Sequence, residues 1–265
     1  MPIDPLSDFT TENFSNESVT HRVYRSGTGP AVIVLAEMPG ITPKVADFAR
    51  MVRDRGFSVW MPYLFGVPGA PPGVGVYAKT IPAACVSKEF AAFATGVTAP
   101  ISTWLRALGR HAHAECGGPG IGALGMCWTG GFALGMMAEP EMLAPVLSQP
   151  SLPINLNQKH KADLHVSPAD LVKVKERAAA GQCVIGMRFT GDKLAPPERF
   201  ATLRRELGDA FIGIEIDSSP GNVWGIRRLA HSVVTEDLVL DVPDHPTAVA
   251  LERVLQFFEE RLLPA

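Results

Sequence analysis

Short, unbroken apolar runs alternate along the chain with longer segments whose apolar residues recur every three or four positions. The runs 31–36 (AVIVLA), 57–64 (FSVWMPYL), 121–126 (IGALGM), 183–189 (CVIGMRF) and 211–216 (FIGIEI), with a weaker one at 144–148, show no apolar/polar alternation. A strand wetted on one face alternates and one covered on both faces does not, so these runs read as strands of a parallel sheet buried between helices. Between them, Val45, Phe48 and Val52 form a helical stripe that stops before Gly56, and Ile101, Trp104, Leu105 and Leu108 form another. Ser167-Pro168-Ala169-Asp170 reads as an N-cap, a proline at the first helical position and an acid at the third, with Gly181 as the stop. Phe200, Leu203 and Leu207 before Gly208, and Leu251, Val254, Phe258 and Leu262 near the end, mark two more helices. This alternation predicts a three-layer α/β fold, a mostly parallel central sheet flanked by helices, formed as a single domain over residues 1–265. Residues 1–17 are expected to be poorly structured. In such sheets functional groups gather at the carboxyl ends of the strands.

Two stretches break the pattern. Residues 66–75 (GVPGAPPGVG) form a Pro/Gly-rich loop after a strand, either a substrate rim or a plain surface loop. Residues 151–166 form a long polar connection that reads as a lid or an insertion.

Composition narrows the function. With 46% hydrophobic and 19% charged residues the chain is an ordinary globular one, and a net charge of −3 leaves no basic stripe for nucleic acid. The polar, acidic start has no basic, apolar leader, and no segment approaches the roughly 18 uninterrupted apolar residues of a membrane span. The expectation is a soluble, cytoplasmic protein without nucleic-acid or membrane partners. Its four cysteines, Cys85, Cys116, Cys127 and Cys183, are scattered without a CxxC pair, which argues against a disulfide framework or a zinc site.

One of those cysteines has unusual neighbours. In GIGALGMCWTGG, Gly120, Gly122 and Gly125 spell the GxGxxG spacing of a dinucleotide site, but that site needs a strand before the first glycine and a helix at the third. Here the strand lies inside the motif, and no acid sits about 20 residues on at the end of a following strand, where a ribose would be held. The stretch is read instead as a strand, a sharp turn at Cys127 and a helix. A nucleophile elbow forces its central residue into a strained conformation with close neighbours, hence the small Gly125 and Thr129 two positions to either side. A thiol at the N-terminus of that helix is favoured as thiolate. The plain alternative is a buried structural cysteine.

A thiol with a pKa near roughly 8.5 is mostly protonated at neutral pH, so it needs a base, and the base needs an orienting acid. In α/β-hydrolases both follow the nucleophile, the acid first, on loops after later strands. Asp192, three residues beyond CVIGMRF, fits the acid; Asp217, directly after FIGIEI, competes with it. Of seven histidines only His231 lies between the last strand and the last helix. His245 opens that helix beside Pro246, as a cap or a solvated residue, while His111 and His113 face different directions on a helix and do not make a metal pair with Cys116. Backbone N–H groups of Trp128, after the nucleophile, and Met38, after the first central strand, would form the oxyanion hole. Glu37 beside them is an awkward charge for an anionic transition state.

The segments VLAEMPGITP, GMCWTGGFAL, TGDKLAPPER and AHSVVT, spread over roughly residues 20–262, together resemble the dienelactone hydrolase family. The resemblance implies an α/β-hydrolase fold, a largely monomeric or weakly self-associating chain, no cofactor or metal, and cleavage of a small-molecule ester or lactone through a thioacyl-enzyme. It implies Cys127 as nucleophile, His231 as general base and acid, and Asp192 as the carboxylate that orients it. Glu37 then matches the family's glutamate, which contacts the thiol and helps to generate the thiolate. Two positions depart from the pattern. Thr129 replaces a glycine of the elbow, and Thr235 stands four residues after His231 where dienelactone-specific members carry an arginine for the substrate carboxylate. Residues 66–100 contain Lys79 and Lys88 but no arginine, so a less acidic ester or lactone than a dienelactone is expected. Other readings are a catalytically weak relative that binds a ligand or senses redox state through its thiol, and, more remotely, a nucleotide-binding oxidoreductase.

Overall fold

The computed structural model describes residues 2–90, 94–152 and 157–264. Eight strands, β1 (Thr10–Asn16), β2 (Val19–Ser26), β3 (Ala31–Leu35), β4 (Ser58–Pro62), β5 (Ile121–Met126), β6 (Met142–Ser148), β7 (Val184–Phe189) and β8 (Phe211–Ile216), form one sheet in the order β1-β2-β4-β3-β5-β6-β7-β8. From β4 to β8 every pair is parallel, while β1 with β2 and β2 with β4 are antiparallel. The helices are α1 (Pro43–Arg53), α2 (Val74–Val86), α3 (Pro100–Cys116), α4 (Gly130–Met136), α5 (Gln158–Ala162), α6 (Pro168–Ala179), α7 (Pro197–Leu207) and α8 (Pro246–Leu262). None of the described helices is long and apolar enough to cross a membrane.

The unbroken apolar runs have the cause expected of them. In β3, Ala31, Ile33 and Leu35 pack on one side of the sheet with α3, α4, α6 and α7, while Val32 and Val34 pack on the other with α1 and α8. β3 to β7 thus feed two cores, and alternation disappears there because both faces are dry. The edge strand β8 departs from the expectation: Gly213 and Glu215 are exposed and alternate with the half-buried Ile212 and Ile214, because no further strand among the described residues lies beyond it. Helix α1 shows how local signals place one layer. The Thr42 hydroxyl accepts the Val45 N–H at 3.3 Å, Pro43 occupies the first turn, and Val45, Phe48 and Val52 are buried on the sheet.

The expectation for residues 1–17 is corrected. Residues 10–16 are an ordered edge strand paired with β2 along its whole length, and the segment before it buries Leu6 and Phe9. Arg50 of α1 pairs with both Asp4 and Asp8 at 2.7 Å, tying the segment down. An edge strand needs only one apolar anchor, and here that is Phe14, which packs on Trp104 and His111. Its other residues are polar, so no apolar run marks it. Residues 66–75 lead into α2. The 151–166 connection holds α5, with 153–156 outside the described residues.

Candidate active site

β5 ends at Met126, and the chain turns sharply through Cys127, whose φ of +55° is one that side-chain-bearing residues rarely adopt. A single 3-10 turn, Cys127–Thr129, then runs into α4. A Cβ on Gly125 would lie 2.3 Å from the Thr129 carbonyl oxygen, so only glycine lets the elbow close this far. Thr129 has a use that a glycine lacks. Its buried hydroxyl accepts the Met126 N–H at 2.8 Å and lies 3.0 Å from the Leu35 carbonyl, so it ties the elbow to the end of β3.

Asp192 and His231 come from loops beyond β7 and β8. The His231 Nδ1 donates to Asp192 Oδ2 at 2.7 Å, and Asp192 Oδ1 accepts the Leu194 N–H at 2.8 Å, so both oxygens of this buried carboxylate are engaged. A Cβ on Gly191 would meet the Arg228 carbonyl at 2.5 Å, which is why the acid loop can press against the histidine loop. Asp237 fixes that second loop by accepting the backbone N–H groups of His231 and Ser232 at 2.9 and 3.1 Å. Asp217, the competing acid, lies on the exposed surface and accepts from Ser219 N–H.

Cys127, His231, Glu37, Met38 and Trp128 all line one cavity of about 470 Å³. Tyr77, Ile81 and Cys85 of α2 form its far wall, and Ser151, Leu152, Leu194 and Ser232 complete it. Of the two readings of residues 66–75, a substrate rim or a plain surface loop, the rim is not borne out at this cavity: its wall is built by α2, which starts at Val74. Residues of that loop and the back of α2 instead border a second cavity of about 680 Å³.

The sulfur of Cys127 lies 2.8 Å from the Ser151 hydroxyl, and the Ser151 N–H donates to the Cys127 carbonyl at 2.9 Å. His231 Nε2 is buried with no hydrogen bond of normal geometry among the described residues. Burial disfavours a charged imidazole here, but the negative charge of an ionised Cys127 and the hydrogen bond with Asp192 outweigh it and hold His231 well above the ordinary histidine value.

Glu37 is placed at the cavity, but its carboxylate does not bond the thiol. It accepts from the Ser232 hydroxyl at 2.6 Å, from Gln149 Nε2 at 3.1 Å and from the Thr235 hydroxyl. Thr235, which stands where the resemblance implied an arginine, thus serves Glu37. Two positions not singled out in the sequence also shape the site. Ser151 touches the Cys127 sulfur. Arg199, buried on α7, donates to the carbonyls of Asp163, Pro150 and His160 at 2.6, 2.9 and 2.9 Å, and burial brings its pKa down to about 10. No group of three or more His, Cys, Asp or Glu side chains among the described residues could hold a metal ion; His111 bonds Glu115, and His245 caps α8.

No family model and no curated protein sequence matches the chain. Solved structures do. A dienelactone hydrolase from Anabaena variabilis superposes with a TM-score of 0.62 at 13% identity, covering 96% of this chain and 98% of that one. A dienelactone hydrolase-like promiscuous phosphotriesterase from metagenomic libraries gives 0.61 at 14%, covering 96% and 98%. Est1E from Butyrivibrio proteoclasticus gives 0.58 at 12%, covering 94% and 98%. At such identities the likeness is one of fold, and the fold is that of the α/β-hydrolases.

Proposed function

We propose that this protein is a cysteine-dependent hydrolase of a small carboxylic ester or lactone. The observation that carries the reading is the gathering of a strained elbow cysteine, an Asp192-paired His231 and the Met38 and Trp128 backbone in one cavity. The fold it shares with esterases and dienelactone hydrolases supports the same class.

In the mechanism that follows, the Cys127 thiol leaves Ser151 and gives its proton to His231 Nε2, with Asp192 holding the imidazolium through Nδ1–H. The thiolate attacks the ester carbonyl, and the carbonyl electrons move to an oxyanion received by the Met38 and Trp128 N–H groups. As the C–O bond breaks, the imidazolium proton goes to the leaving alkoxide and a thioacyl-enzyme remains. Water then gives a proton to His231 and attacks the thioester, and the departing thiolate takes that proton back. The acid is released and Cys127 is restored as thiol. Hydrogen bonds of catalytic pairs are often unformed before substrate arrives, so the resting contact of Cys127 with Ser151 is compatible with this role.

The test is turnover of p-nitrophenyl butyrate by wild type and Cys127→Ala, alongside iodoacetamide labelling of Cys127. Turnover that Cys127→Ala abolishes is the expected result. Fast labelling without turnover would instead favour the thiol-sensing reading, which the exposed cavity and the resting thiol–hydroxyl contact also accommodate.

A further inference from the structure

The cavity around Cys127 has the size of a small-ligand site and a one-sided charge. Its volume of about 470 Å³ falls within the ~300–1,000 Å³ usual for such sites. Met38, Ile81, Trp128, Leu152 and Leu194 give it an apolar lining, and neither Lys nor Arg is among the described residues that border it. It does contain a carboxylate, Glu37, which is held by Ser232, Gln149 and Thr235 rather than by a cation. The buried guanidinium of Arg199 is engaged by backbone carbonyls, and the charge of His231 is matched by Asp192 and by Cys127 when ionised. Tyr77 registers the resulting field. Burial first, and then the negative charges of Glu37, Glu236 and Cys127, push its phenol up to about 12.

Resting on the ester-hydrolase reading above, we infer that this site selects esters of uncharged, apolar acyl groups of medium length and rejects acyl groups that end in a carboxylate. An apolar chain gains by displacing water from the Met38, Ile81, Leu152 and Leu194 surfaces. A terminal carboxylate would be buried without a cation, in a cavity that already holds Glu37, and both desolvation and like-charge repulsion oppose that.

The experiment compares p-nitrophenyl acetate, butyrate and hexanoate with the mono-p-nitrophenyl esters of succinic and adipic acids and with the methyl esters of those two. The expected result is kcat/KM rising about 3- to 4-fold per added methylene from acetate to hexanoate. Each acid ester should fall at least ~30-fold below its own methyl ester. Leu194→Lys places a cation on the lining at a side chain that is half exposed, where the fold tolerates it, and should narrow the acid-to-methyl gap by ~10-fold. Acid esters that match their methyl esters, or a gap that Leu194→Lys leaves unchanged, would overturn the charge selectivity while the ester reading stands. No turnover of any ester above the Cys127→Ala background would overturn both.

Discussion

The cavity's two walls are held in different ways. On the side of Cys127, Asp192 and His231, each loop is cross-linked to another: Thr129 to Leu35, Asp192 to His231 and Leu194, Asp237 to the His231 backbone, and Arg199 to several backbone carbonyls. Helix α2, opposite, begins at Gly73 with no side-chain cap, contains Pro82, and buries only Thr80 and Ala84. Its Tyr77, Ile81 and Cys85 face the Cys127 cavity while its other side borders the second one, so it stands as a partition with space on both flanks. The contrast suggests a division of labour. Under the proposed function, the groups that must hold sub-ångström geometry sit on a hydrogen-bonded frame, and the wall that a substrate would push against sits on an element that can give way.

The sharpest way to break that division is to remove chemistry from the fixed wall. Cys127→Ala should lower kcat/KM for p-nitrophenyl butyrate by ~10⁴-fold or more, with the circular dichroism spectrum unchanged. Asp192→Asn comes next, with a kcat loss of ~10³-fold or more and little change in KM, because the imidazole loses the group that sets its tautomer. The same pair gives a pH signature. His231 lies well above its ordinary value in the folded protein, so its proton contributes stability that is complete below the unfolded value of roughly 6.5 and is lost as the pH rises through the folded value. The wild-type urea midpoint should therefore fall between about pH 6 and the alkaline range, and fall less steeply in Asp192→Asn, where the imidazolium has one partner fewer. A parallel fall in both proteins would count against this role of the pair.

The same division bears on what the sequence could reveal. Strands covered on both faces announce themselves as apolar runs, and the groups of the proposed triad follow one another in chain order, so both could be read off. β1 could not, because Phe14 is its one large apolar residue. Helix α2 could not either, since its sequence VGVYAKTIPAACV is apolar nearly all round, with no polar stripe to set a helical period, and carries a glycine and a proline. Ser151, Arg199 and Asp237 act through a thiol, carbonyls and amides brought together by folding, and contacts of that kind leave no pattern along the chain. Thr235 shows how far reading by position can go. Its departure from the arginine that the resemblance implies was visible in the sequence, but its bond to Glu37 needed the fold.

Between the two walls lies Glu37, and a change there tests how far the rigid frame extends. Thr235→Val keeps the side-chain shape and removes one of the three donors to a buried carboxylate, which should destabilise the protein by ~1–3 kcal/mol in urea denaturation. The loop that Thr235 shares with Ser232 lies next to His231, so kcat should drop by ~3- to 10-fold as well. A loss of stability with no change in kcat would separate Glu37 from the catalytic frame.

The smallest effect is expected on α2. Ile81 is 42% exposed and lines the cavity, so Ile81→Ala removes substrate contact without opening a hole in the core. The urea midpoint should stay within the equivalent of ~0.5 kcal/mol. KM for p-nitrophenyl hexanoate should rise by ~3- to 10-fold with kcat within about twofold, and acetate, too short to reach that wall, should hardly respond. A split of this kind means that α2 contributes binding alone, felt equally in ground and transition states. If kcat fell as far as it does for Thr235→Val, α2 would belong to the catalytic frame despite its sparse anchoring, and the two walls would differ in packing but not in task.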